Sequence, residues 1–281
     1  MNTITLKKYH GLGNDYLVLD PAKNNINLQA RSIELLCQRN FGVGADGILY
    51  GPIMKDGKIY VQIYNPDGSE TEISGNGIRI FAKYLLDEGY VENKKFTIYT
   101  TDTATDIEFL DDEGNNMKAN MGKASFAAKD VPVAGLGDEV IDKPVTFNNM
   151  PVKITCLTVG NPHCVIISDV VSPRSAMDIG PFIENAEYFP NRINVIICKI
   201  DSEDHITAEI FERGAGYTLA SGTGSCAAAA ACYKMGLTGK KVTVTMPGGD
   251  LEIEVDDDYS ITMTGSVEFI GAFTVAENFF S

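Results

Sequence analysis

Two short stretches decide the reading of this chain: Ser74-Gly75-Asn76-Gly77, ahead of the helix-like run Ile78 to Leu86, and Ser221-Gly222-Thr223-Gly224, ahead of the small-residue run Ser225 to Cys232. Each stands where a strand-like segment gives way to a helix-like one, and the two serines lie 147 positions apart, at 74 and 221. The same spacing of 147 relates Gly13-Asn14, followed by Tyr16 to Leu19, to Gly160-Asn161, followed by His163 to Ile167. Thr71 and Thr218 share it, as do Ala82 and Ala229. Two motifs at one offset predict two lobes of the same topology, with equivalent loops facing each other across a cleft.

The bulk properties agree with a two-lobed globular protein. The 281 residues are 44% hydrophobic and 22% charged, ample apolar material for a core, and exceed the roughly 150 residues of one ordinary domain. No apolar run approaches the roughly 20 residues of a membrane helix, and Met1 to Asp20 lacks a basic-then-apolar pattern, so a cytoplasmic protein is expected. A net charge of −15 disfavours nucleic acid or anionic lipid as a partner, and an anionic ligand would need a local pocket. Cys37, Cys156, Cys164, Cys198, Cys226 and Cys232 form no C-x-x-C pair and read as buried thiols. No cluster of His, Cys and acids has ligand spacing, so no metal is expected.

Lys58 to Tyr64, Phe96 to Thr100, Lys153 to Thr158, Asn194 to Ile200 and Lys241 to Met246 have the β-branched and aromatic composition of strands. Gln29 to Gln38, Gly77 to Glu88, Asp178 to Ala186 and Gly224 to Met235 read as helices. Asp111 to Gly114 and Asp256 to Asp258 read as hairpin tips, and Ala127 to Asp138, with Pro132 and two glycines, as the softest linker. The lobes are then 1–130, joined by a returning 268–281, and 131–267. Arg39 to Gly47 fits G-x-G-x-x-G, but Ile48 to Tyr50 is too short and β-like for the helix a dinucleotide site requires.

Serine is a strong N-cap residue, so each Ser-Gly-x-Gly alone is satisfied by a capped helix. As a pair they would aim two sets of free N–H groups and two positive dipole ends at one carboxylate or phosphate. A proton-exchanging group at each N-cap would then reach a carbon from both sides and invert it. A thiol suits that task, having a pKa of roughly 8.5 that a helix N-terminus lowers further; a serine hydroxyl needs an adjacent base. His163, one of three histidines, reads first as a hydrogen-bonded structural residue. Glu212-Arg213 reads equally as an ion-paired strand end or a ligand contact. Asn14, Asn65, Asn161 and Asn194 read singly as turn residues.

Taken together, the segments resemble the diaminopimelate epimerase family. The matching stretches are His10 to Asp15, Gly42 to Gly47, Asn65 to Glu70, Ser74 to Gly77, Gly160 to His163, Phe189-Pro190 with Arg192 to Asn194, Glu212 to Gly216, Ser221 to Gly224 and Met263 to Gly265. The resemblance implies an α/β (α+β) fold of two pseudo-symmetric lobes, each with strands wrapped around a central helix, and a homodimer. It implies epimerisation of LL-diaminopimelate to the meso form without pyridoxal phosphate or any other cofactor. The family's two catalytic cysteines fall on Ser74 and Ser221, with His163 and Glu212 tuning the pair. Gly75, Asn76, Gly222 and Thr223 would hold the reacting carboxylate through backbone N–H groups. Glu212 and the Arg213 carbonyl would meet the amino group of the reacting carbon. Asn14, Asn65, Asn161, Asn194 and the Arg213 guanidinium would grip the distal end of the amino-acid substrate.

Three positions depart from the pattern. Both thiols are hydroxyls, so an inactive or impaired catalyst is expected. Gly47 replaces a glutamine found in many members, and Tyr217 stands where glutamate is usual. Tyr217 raises a second reading, a racemase for another amino acid such as histidine. The hydroxyls raise a third, an amino-acid-binding protein without catalysis.

Overall fold

The computed structural model describes residues 3–26, 28–71, 74–101 and 103–280. The chain divides into two compact units, Met1–Ala119 with Gly265–Ser281, and Asn120–Thr264. In chain order come β1 (Thr3–Gly11), β2 (Asn14–Leu19), α1 (Ala30–Cys37), β3 (Ile48–Lys55), β4 (Lys58–Tyr64), β5 (Glu70–Thr71), α2 (Gly75–Asp87), β6 (Lys95–Tyr99), β7 (Ala104–Phe109) and β8 (Asn116–Lys123). There follow β9 (Lys143–Phe147), β10 (Met150–Thr158), β11 (Pro162–Ile167), α3 (Pro173–Glu184), β12 (Asn194–Ser202), β13 (His205–Glu212), β14 (Gly216–Thr218) and α4 (Gly222–Lys234). The last strands are β15 (Lys241–Met246), β16 (Gly249–Val255), β17 (Ser260–Ser266) and β18 (Glu268–Ala276).

In the first unit β1 pairs antiparallel with β2 and β18. β2 runs parallel to β3 through the α1 crossover, β3 and β4 form a hairpin, and β4 runs parallel to β6 through α2. The second unit repeats this plan with β10, β11, α3, β12, β13, α4 and β15 in the corresponding places. Even the register repeats. Leu17 faces Ile48, Ile48 faces Tyr64 and Ile63 faces Thr71; Cys164 faces Val195, Val195 faces Phe211 and Ile210 faces Thr218. Each residue of the second set lies 147 beyond its counterpart. Past the helices one position is lost, since Ile59 faces Ile98 whereas Ile206 faces Val244.

Within each unit one helix is the core. Burial is unbroken from Gly75 to Leu85 in α2 and from Gly222 to Cys232 in α4. A helix enclosed on every side must be small or apolar all round, and the five alanines between Cys226 and Cys232 satisfy this with the best helix-forming residue. α2 meets the demand differently, burying Arg79 and Lys83 among its apolar residues. The other face of the sheet is covered by α1 around Leu17, Leu19, Ile33 and Leu36, and by α3 around Ile179, Ile183, Val195 and Ile197. Because strand side chains alternate, Leu17 and Leu19 turn toward α1 while Tyr16 and Val18 turn toward α2.

The segment expected to be a linker, 127–138, is instead packed inside the second unit. Val131 belongs to its apolar core and Ala128 N–H bonds the Asp138 carbonyl. Glycine and proline there shape a tight surface turn rather than a hinge. Ile48–Lys55 is a strand, as the failed dinucleotide reading requires. All six cysteines are buried thiols outside any disulfide, and burial pushes the Cys37 thiol up to about 12. Among the described residues no helix is long and apolar enough to cross a membrane.

Candidate functional site

Ser74 is the N-cap of α2. Its backbone is extended at φ −140°, ψ 113°, and its Oγ accepts the Gly77 N–H at 3.0 Å. A Cβ at Gly77 would lie 3.1 Å from the Ser74 side chain, so a side chain at the second glycine of the motif would crowd the cap. The Tyr16 hydroxyl sits 3.1 Å from Ser74 Oγ. Its ring is accommodated by Gly47, where a Cβ would meet the Tyr16 ring at 2.6 Å and the Tyr64 carbonyl at 2.4 Å. The absence of a side chain at 47 is thereby explained inside the unit.

A directed chain of hydrogen bonds runs beside this turn. The buried Arg79 guanidinium donates to the Gly75 carbonyl at 3.3 Å and to Asn76 Oδ1 at 2.9 Å. Asn76 Nδ2 donates to Asn14 Oδ1 at 3.2 Å, and Asn14 Nδ2 to Asp46 Oδ2 at 3.0 Å. Arginine can only donate and carboxylate only accepts, so both amide orientations follow from the two ends. Arg39 ties Asp46 to Asp15, at 2.6 and 2.7 Å. Burial would raise the Asp15 carboxyl, but hydrogen bonds from Arg39 and Lys8 outweigh it and hold the group at about 2.

Ser221 caps α4 in the same conformation, φ −139° and ψ 123°, and its Oγ accepts the Gly224 N–H at 3.2 Å. Its partner differs: Ser221 Oγ donates to Glu212 Oε2 at 3.1 Å. Asn161 Nδ2 donates to Thr223 Oγ1 at 3.4 Å, matching the Asn14–Asn76 contact at the 147 offset, and Asn161 Oδ1 receives His163 Nε2 at 2.7 Å. His163 is 0% exposed. Burial, aided by the positive charge of Arg213, pushes its imidazole down to about 3. It is therefore neutral, with the proton on Nε2, and its buried Nδ1 has no hydrogen-bond partner. Asn194 bridges strand ends, donating to the Pro162 carbonyl at 2.8 Å and accepting the Arg213 N–H at 2.9 Å. Glu184 fixes the turn after Glu212 by accepting the Gly214 N–H at 2.8 Å.

Within the units, then, Asn14 meets Asn76, Asn161 meets Thr223, and Glu212 meets Ser221. His163 touches Asn161; no described contact joins it to Ser221. Asn65 closes its own turn, donating to Ser69 Oγ at 3.0 Å. Arg213 is exposed, its Nη1 donating to the Asn191 carbonyl at 3.2 Å. Tyr217 pairs across the sheet with Phe211, packs against the α3-side core and donates to Glu209 at 2.7 Å. Strand alternation places it on the face opposite Glu212, away from Ser221. Reading the sequence missed Tyr16 and Arg79. Tyr16 was findable, because it stands 147 before His163; a buried arginine inside a helix leaves no comparable signal.

The sequence profile of the family described as "Diaminopimelate epimerase" matches residues 6–127 and 155–270. "Diaminopimelate epimerase 2" of Nostoc sp. is 46% identical over 261 residues, covering 92% of this chain and 91% of that protein. "Diaminopimelate epimerase" of Leptospira biflexa is 38% identical over 268 residues, covering 93% and 95%. Among solved structures, a hydroxyproline epimerase from Agrobacterium vitis with bound trans-4-OH-L-proline superposes with a TM-score of 0.73 at 13% identity, covering 98% of this chain and 93% of that one. A Bacillus anthracis phenazine biosynthesis protein gives 0.67 at 18%, covering 98% and 100%. At these identities the structural likeness is one of fold.

Proposed function

The chain belongs to the diaminopimelate epimerase family, and from that premise we propose that it interconverts the LL and meso forms of diaminopimelate by exchanging the proton on one α-carbon, in lysine biosynthesis. The observation that carries the reading is one N-cap frame built twice, with the same cap geometry and the same strand register. Ser74 and Ser221 stand at the positions of the family's two proton-exchanging residues. Backbone N–H groups of Gly75, Asn76, Gly222 and Thr223, at the positive ends of α2 and α4, stabilise the negative charge that develops on the carboxylate side when the proton leaves, with no pyridoxal phosphate.

Asn14, Asn65, Asn161, Asn194 and Arg213 take the distal end of the substrate. Their amides are already oriented by protein hydrogen bonds, which lowers the ordering cost of binding. Glu212 and the Arg213 carbonyl receive the amino group, and neutral His163 holds Asn161. The protein acts as a homodimer, read from the family resemblance. It works in the cytoplasm, where six thiols outside any disulfide are at home. Tyr217, which motivated a different amino-acid substrate, offers that reading no support from its side of the sheet.

A hydroxyl is a weaker acid than a thiol, so this Ser/Ser enzyme is slow. Diaminopimelate is incubated in deuterated water and α-deuterium uptake is followed by mass spectrometry. The Ser74→Cys, Ser221→Cys double variant should exchange at least about a thousandfold faster than the native chain, the scale of loss for a catalytic pair acting as a unit. Equal rates, or no exchange by the double variant, would overturn the reading.

A further inference from the structure

The two N-cap hydroxyls have different neighbours, a carboxylate beside Ser221 and the Tyr16 phenol beside Ser74. A hydroxyl has one proton and two lone pairs. At Ser221 the Gly224 N–H occupies one lone pair and the serine proton is given to Glu212. What remains is a lone pair, able to accept. At Ser74 the Gly77 N–H likewise occupies one lone pair, but the neighbour at 3.1 Å is a phenol, and either of these two hydroxyls can donate to the other. When Tyr16 donates, Ser74 keeps its own proton free for delivery.

The asymmetry is built by residues, not by backbone. Glu212 corresponds at the 147 offset to Asn65, and Tyr16 to His163. Each unit thus recruits its titratable partner from a different strand, β2 in one and β13 in the other, while caps and register stay equivalent. Gly47 is part of the device, because any side chain there would displace the Tyr16 ring.

Resting on the reading above, we propose that Tyr16 is the positioning residue that makes Ser74 the proton-delivering hydroxyl, and that Ser221 with Glu212 is the proton-removing one. In the removing step the α C–H bond breaks, its electron pair stays on carbon, the proton goes to Ser221 Oγ, and the serine proton goes to the Glu212 carboxylate. In the delivering step the Ser74 O–H bond breaks as the new C–H bond forms, and the Tyr16 proton passes to Ser74 Oγ, leaving phenolate. Solvent water returns a proton to Tyr16 and takes one from Glu212. The reverse reaction uses the same bonds in the opposite sense.

The test is a double-mutant cycle on α-deuterium exchange of diaminopimelate, with Tyr16→Phe in the native and Ser74→Cys backgrounds. Phenylalanine keeps the ring against Gly47 and removes only the hydroxyl. A thiol ionises without a phenol's help, so Tyr16→Phe should slow exchange at least about tenfold more in the native background than in Ser74→Cys. A purely packing role would slow both equally, and equal losses would overturn the inference. So would a native chain that exchanges no faster than background while the double-cysteine variant is active. An inactive double-cysteine variant would instead refute the substrate reading on which both rest.

Discussion

Acid should weaken this protein through one buried imidazole. The folded state holds His163 at about 3, whereas a histidine in the unfolded chain titrates near 6.5. Above pH 6.5 neither state binds the proton and His163 contributes no pH dependence. Below it the unfolded chain gains a proton that the folded chain refuses, so stability falls as pH drops, until the folded value is reached. At pH 5, 1.5 units below the unfolded value, the loss is about 2 kcal/mol at 1.36 kcal/mol per unit. That is a sizeable part of the roughly 5–15 kcal/mol that holds a typical protein folded. The imidazole is completely buried, so solvent screening takes little from this figure. Urea unfolding of the native chain and of His163→Gln at pH 7.5 and pH 5.0 isolates the effect, because every other titrating group is common to both proteins. The native chain should lose about 2 kcal/mol more than the variant between the two pH values. Equal losses would show that His163 is solvated or charged in the folded protein, and the argument for a neutral Nε2–H donor to Asn161 would go with it.

Gly47→Ala should cost about 1–3 kcal/mol in thermal unfolding, the usual range for overpacking, since its Cβ would sit 2.4 Å from the Tyr64 carbonyl; an unchanged Tm would mean that the Tyr16 ring is not confined as described. Ser74→Ala and Ser221→Ala should each lower stability by about 1 kcal/mol through loss of the N-cap bond, separately from any effect on exchange. Calorimetry showing no loss at either position would remove the capping role.

Much of this architecture could be read before any coordinates. The five strands named from composition are all strands, and Lys58–Tyr64 and Lys241–Met246 keep their predicted limits. Val, Ile, Tyr and Thr in short runs bounded by charge leave few other options. Helix starts were read two to five residues late at α2, α3 and α4, because glycine and proline at a first turn look like breakers when they are in fact favourable or tolerated there. The segment 127–138 misled for the same cause. Pro132 and two glycines signal a change of direction, and only the burial of Val131 shows that the turn is packed.

The duplicated plan itself was determined by sequence alone. A repeat at constant spacing encodes topology locally, so Ser74, Ser221, Asn14 and Asn161 could be matched without a structure. What only tertiary structure decided is which atoms those residues touch. Tyr16 is 58 positions from Ser74, and Arg79, Asn76, Asn14 and Asp46 form a chain drawn from two strands' ends and a helix. Hydrogen bonds act over about 3 Å of space whatever the separation along the chain. A linear pattern therefore records that a residue is polar, while the fold determines whether its proton points toward a neighbour or away from it.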